Sequence, residues 1–185
     1  MTTSSKVGAG PSVVMVPEGD NRPRKVCPDC GFIHYRNPLV VVGAVCVWRG
    51  RILLCRRAIA PRHGYWTLPA GYLELEETTV QGAIREVREE ACAEIEIERL
   101  LGVYDIARIS QVQLIYAARL KSDAIAPGVE SLEVALFEWD RIPWDDLAFP
   151  SVRWALDHYR EAGDGDDRAT RSNPPGATGD MRRPG

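Results

Sequence analysis

Residues 85–92 read R-E-V-R-E-E-A-C. On a helix, Glu86, Glu89 and Glu90 fall at i, i+3 and i+4, so three carboxylates leave one face within about one turn. A charge run is ordinarily a solvated face, and Arg85 can bridge to Glu89 one turn on. Like charges at these spacings repel by about a few tenths of a kcal/mol per pair, however. Packing gives a helix little reason to stack them. A hard divalent cation does, because Mg²⁺ and Mn²⁺ take oxygen ligands and bind through a few carboxylates together with substrate phosphates. The cluster reads as half of a metal–phosphate site. Upstream, Pro69-Ala70-Gly71 reads as a tight loop in which Gly71 would let the backbone approach a ligand closely. Glu77 lies between that loop and Arg85.

These groups need elements to hold them. Val80, Ala83, Ile84, Val87 and Ala91 make one apolar stripe, which predicts a helix from Thr78 onward with Thr78 as its cap. LVVVGAVCVW (39–48) and RILLCRR (51–57) are β-branched or apolar runs separated by Arg49-Gly50, the pattern of a hairpin. Residues 58–77 read as a loop with a short strand around Tyr65–Leu68. Further strands are expected at 95–104, 112–120 and 132–139, and a last helix from Ser151 to about Arg160. Strands, helix, strands, helix predict a layered α/β (α+β) domain. Residues 1–20 read as a flexible arm. Residues 162–185, rich in Gly, Pro, Asp and Arg, read as a disordered tail, since they hold too little apolar surface to offset ordering entropy.

The 185 residues carry a net charge of −3 and no apolar run long enough to span a membrane. Neither a nucleic acid nor an anionic membrane is the expected partner. The start of the chain lacks the pattern of a signal peptide, and the expected location is the cytoplasm. Of the five cysteines, Cys46 and Cys55 lie in apolar runs and read as core.

The segment from Gly71 to Cys92 resembles the signature of the Nudix hydrolases. A glycine is followed by five residues, a glutamate, seven residues, and then R-E-x-x-E-E-x-G. All five charged positions match in this chain, and the family's last glycine is replaced by Cys92. That departure bears on how the helix ends more than on the carboxylates. The resemblance covers about residues 37 to 160. It implies a mixed β-sheet sandwiched between helices, and a cation held by Glu86, Glu89, Glu90 and the Ala70 carbonyl. Glu77 and Arg85 would orient this cluster. A further acidic group from a loop across the site would be Glu130 or Glu133, with Glu130 preferred. Arg56 and Arg57 are candidates to clamp phosphate oxygens, while Arg62 and His63 fit solvated loop charges better. Trp66 is a candidate to stack a base, although a Trp in an apolar strand is more often core.

CPDCGFIHYRNP (27–38) is similar to the zinc-ribbon segment that precedes this domain in a subgroup of the family. A structural zinc needs four ligands. Here Cys27 and Cys30 form one knuckle, His34 is a third candidate, and no fourth is evident, so residues 21–38 read as a degenerate ribbon. The domain proper is expected at 39–161. The resemblance implies hydrolysis of a diphosphate in nucleotide conjugates, with ADP-ribose and FAD foremost and a homodimer as the assembly. ISQVQLIYAARL stands where NADH diphosphatases carry their own motif, which disfavours NADH. The alternatives are a housecleaning nucleoside triphosphatase or RNA 5′-end hydrolase, and a catalytically silent ligand sensor. Retention of every carboxylate counts against the sensor.

Overall fold

A computed structural model describes residues 10–163 and 169–179. The chain divides into two units, residues 1–37 and 38–185.

The first unit is a three-stranded antiparallel sheet of β1 (Val13–Met15), β2 (Arg24–Val26) and β3 (Ile33–His34). Residues 13–15 fall in the expected arm. They pair instead with Val26, Lys25 and Arg24, after a turn closed by the Asp20 amide on the Pro17 carbonyl. Backbone pairing secures this strand although its side chains stay exposed. The expected CxxC knuckle follows β2. The Gly31 amide donates to the Cys27 carbonyl and the Cys27 amide to the Phe32 carbonyl, both at 2.9 Å.

In the second unit, β4 (Leu39–Trp48) and β5 (Arg51–Arg57) form the predicted hairpin. Arg49 and Gly50 both take positive φ (48° and 80°), the two-residue turn that suits the strands' twist. The sheet runs β10 (Ser131–Phe137), β5, β4, β9 (Gln111–Leu120), β8 (Ile95–Ile106). The β4–β9 pair is parallel and the rest antiparallel. Short β6 (Trp66–Thr67) pairs with β5; Ala70 and Gly71, expected in a tight loop, lie instead in a second short strand, β7 (Ala70–Tyr72), because their backbone pairs with β4.

Alternation along β4 divides the core. Val42, Ala44 and Cys46 face α1 (Thr79–Ala91) through Ala83, Val87 and Ala91. Val45 faces α2 (Pro150–Ala162) through Val152, Ala155 and Leu156. The result is the expected mixed sheet between helices. None of the described helices is long and apolar enough to cross a membrane.

Helix α1 begins in a capping box. The Gln81 amide donates to Thr78 Oγ1 at 3.2 Å, and the Thr78 amide to Gln81 Oε1 at 2.8 Å. It ends at Cys92, which adopts the left-handed conformation (φ 49°, ψ 31°) that glycine takes more cheaply, and whose amide donates to the Arg88 carbonyl. The exit missing its glycine is thus made at a cost of about 1 kcal/mol.

The predicted tail differs from expectation. Residues 169–179 run along β8, with Arg171 bridged in parallel to Gly102. Residues 164–168 and 180–185 of the expected tail lie outside the described residues.

Candidate active site

The carboxylates stand where α1 faces a cavity of about 940 Å³, a size that suits an extended small-molecule ligand. Glu86, Glu89 and Glu90 all line it, together with Ala70 and Gly71. Glu86 and Glu90 are buried (8% and 7% exposed), while the Glu89 side chain is 58% exposed. The loop after β9 brings Glu130 to the same cavity. That loop is tied to the end of α1, because the Ala126 amide donates to the Ala91 carbonyl and the Gly128 amide to the Glu90 carbonyl. A side chain on Gly128 would collide with the Glu89 carbonyl, so glycine is required there.

Arg85 binds the cluster together. Its Nε and Nη2 donate to the two Glu77 carboxylate oxygens at 3.0 and 2.7 Å. Nη1 donates to Glu86 Oε1 at 2.6 Å and to Glu89 Oε2 at 3.1 Å, and Nη2 also reaches the Tyr72 carbonyl at 3.0 Å. Charge-assisted, forked bonds of this kind hold Glu77 fully ionised. With the Glu74 amide, they lower its pKa to about 2. Glu86 goes the other way: burial raises its pKa and outweighs Arg85. Burial, reinforced by Glu86, pushes Glu90 up to about 8, despite a bond from the Ala70 backbone. Glu90 Oε2 is buried and has no hydrogen-bond partner. A Cβ on Gly71 would meet the Glu86 carboxylate, so this glycine admits that side chain against β7.

Among the described residues, no three His, Cys, Asp or Glu side chains converge on one point. Arg85 occupies oxygens of Glu86 and Glu89 instead. Mg²⁺ needs no such cage, since it keeps waters and takes one or two carboxylates plus phosphate oxygens. The buried, unsatisfied Glu90 oxygen beside Glu86 supplies an acceptor whose burial cost a divalent cation would offset. These residues fit such an ion. The knuckle does not fit a closed zinc site. Cys27 is buried and Cys30 exposed; bonds from the Cys30 and Asp29 amides lower the Cys27 pKa. Two thiols are present where four ligands are needed.

The other expected residues separate. Arg57 lines the cavity, with its Nε on the Pro61 carbonyl at 2.9 Å and its guanidinium 5.3 Å from the Phe149 ring centroid. Alternation along β5 sends Arg56 elsewhere: it lies 3.6 Å from Glu133, and neither of those two residues lines the cavity. Arg62 and His63 do not line it either, although Pro61 does. Trp66 packs edge-on against Phe137 in the core facing α2. Unforeseen members of the lining are Tyr72, Arg108, Gln111, Gln113, Phe149 and Gly179. The Gln113 Nε2 donates to Gln111 Oε1 at 2.9 Å, and the Gln111 Nε2 to the Tyr72 hydroxyl at 3.4 Å. No spacing along the chain signals these residues; they come together from β7, the β8–β9 connection, β9, the start of α2 and the segment that ends at Gly179.

A family model described as "NUDIX domain" matches residues 37–160, and one described as "Nudix N-terminal", named for a zinc ribbon, matches residues 9–36. The crystal structure of a NUDIX hydrolase from Nitrosomonas europaea is 45% identical, covers 94% of this chain and 99% of its own, and superposes with a TM-score of 0.84. A MutT-like protein of Streptomyces ambofaciens is 35% identical over 55% of this chain, an alignment spanning 64% of that relative's length. An ADP-ribose pyrophosphatase of Methanocaldococcus jannaschii is 27% identical over 68% of this chain and 76% of its own.

Proposed function

Since the chain belongs to the Nudix hydrolase family, we propose that it is a divalent-cation-dependent pyrophosphatase that cleaves the diphosphate of nucleotide conjugates such as ADP-ribose or FAD. The observation that carries this reading is the pair of buried carboxylates lining the cavity, Glu86 and Glu90, one of whose oxygens, Glu90 Oε2, has no hydrogen-bond partner. The Methanocaldococcus relative's name supports ADP-ribose as the first substrate to try.

A bound Mg²⁺ or Mn²⁺ supplies charge neutralisation of the diphosphate and activation of the attacking water. The chain does the rest. Glu86 and Glu90 would hold the ion from α1, with Glu89 and the Ala70 carbonyl as its further protein ligands. Arg85 and Glu77 fix the height and direction of these carboxylates. Arg57 faces the cavity from β5 and takes phosphate oxygens, which lowers the repulsion met by the attacking oxygen. Glu130, at the rim, accepts the proton the water loses. Phe149 and the Tyr72–Gln111–Gln113 chain offer apolar and hydrogen-bonding surface for the nucleoside.

The test is hydrolysis of ADP-ribose, FAD, NADH, 8-oxo-dGTP and capped RNA with Mg²⁺ or Mn²⁺. Turnover is expected for the first two and lost on chelation. Glu89→Gln should lower kcat by about 10²-fold or more with an unchanged melting temperature, because Glu89 is mostly solvated. Near wild-type turnover by this variant would remove Glu89 from the site.

A further inference from the structure

We propose that residues 169–179 seat Gly179 in the wall of the substrate cavity and through it set affinity for the part of a nucleotide conjugate that lies beyond the diphosphate. This rests on the function proposed above. Strand β8 is the edge of the main sheet, and its outward backbone groups need partners. The Arg171 amide donates to the Leu101 carbonyl at 2.8 Å, and the Val103 amide to the Arg171 carbonyl at 2.9 Å. Two residues on, a side chain takes over from the backbone. The Asp105 amide donates to Asn173 Oδ1, and Asn173 Nδ2 donates to the Asp105 carbonyl, both at 2.8 Å. The carboxamide copies a peptide group, so the pairing continues one register position further. Asn173 Nδ2 also reaches the Ala177 carbonyl at 3.2 Å, while the Ala177 amide donates to the Pro174 carbonyl. This turn delivers Gly179 onto Ile106.

Gly179 and Ile106 both line the cavity, as do Arg108 and Ile109 at the β8–β9 connection. Gly179 has φ +75°, and a side chain there would run into Ile106. The glycine is thus the residue that permits this close contact. The reacting carboxylates stand on α1 and Glu130 follows β9, so the segment borders the cavity through a different element. It contributes binding common to ground and transition states, which appears in KM and not in kcat.

The experiment compares the full chain with Asn173→Leu, which removes the clip at similar volume, and Gly179→Leu, which keeps the clip and crowds Ile106. Loss of the two Asp105 bonds should raise KM for ADP-ribose about tenfold, with kcat and melting temperature little changed. Gly179→Leu should also raise KM. Amide hydrogen exchange in the wild-type chain should be slow at Val103 and Asp105, and fast at Asp105 in Asn173→Leu. Fast exchange at both amides in the wild type overturns the docking. A turning-over wild type whose KM is matched by both variants overturns the wall, as does a fall in kcat at unchanged KM. A wild type that hydrolyses no conjugate removes the proposed function, and this inference with it.

Discussion

Glu90→Gln will be catalytically dead yet, without divalent cations and above neutral pH, more stable than the wild-type chain. Burial raises the Glu90 pKa to about 8 from the usual 4.5. The folded state therefore binds a proton that the unfolded state has released, across the window between those two values. Stability of the wild type must then fall as pH rises through that window. By pH 8 to 9 the loss is on the order of a few kcal/mol, because each tenfold change in proton affinity is worth about 1.4 kcal/mol. Glutamine keeps the shape and an acceptor for the Ala70 backbone but never ionises, so the share of the slope owed to Glu90 vanishes in the variant and only that of other shifted groups, such as buried Glu86, remains. Mg²⁺ should restore the wild type in proportion to its concentration and leave Glu90→Gln where it is. The loss in kcat should be about 10²–10³-fold or more, because the charge that holds the ion is gone. Thermal unfolding from pH 5 to 9, with and without Mg²⁺, checks the sign; a wild-type curve that rises with pH above 5 would contradict it.

Arg85→Ala should be the most destabilising single change on the helix. One guanidinium satisfies Glu77 twice, Glu86 once and Glu89 once. Its side chain is only 16% exposed. Removing it leaves two largely buried carboxylates facing each other without a cation, at a cost of about 3 kcal/mol or more. Arg85→Lys should recover little, since a point charge cannot fork across three carboxylates. The penalty carries a pH signature. The low Glu77 pKa contributes stability that is present above the usual carboxylate value and lost as pH falls toward about 2. The gap between wild type and variant should thus be widest at neutral to alkaline pH and shrink in acid. Urea unfolding at pH 8 and pH 3 measures it. An equal gap at both values would mean that packing of the arginine stem, and not its charge, is what stabilises the helix.

The parts of this site that were legible in the sequence are those carried by one helix. The 3.6-residue period places Glu86, Glu89 and Glu90 on one side and Ala83, Val87 and Ala91 on the other, and a capping Thr78 marks the start. The hairpin was legible because Arg49-Gly50 interrupts two apolar runs. What escaped is what distant segments build together. Arg56 and Arg57 look equivalent as neighbours, but a strand sends them to opposite faces. Arg108, Gln111 and Gln113 reach the cavity only because β8 and β9 are paired. Residues 169–179 look too polar to order. Their hold on β8 comes from backbone bonds and one asparagine amide, which a measure of apolar content does not register. Val13–Met15 are held in the same way by β2.

The most direct test of the central claim, that the acidic face of α1 exists to hold a divalent cation against a diphosphate, is a Mn²⁺ titration followed by electron paramagnetic resonance at pH 8, for the wild-type chain and Glu90→Gln. Saturable Mn²⁺ uptake by the wild type, weakened more than about tenfold in the variant, is the predicted result. Equal uptake by the two proteins, or none by either, would contradict it.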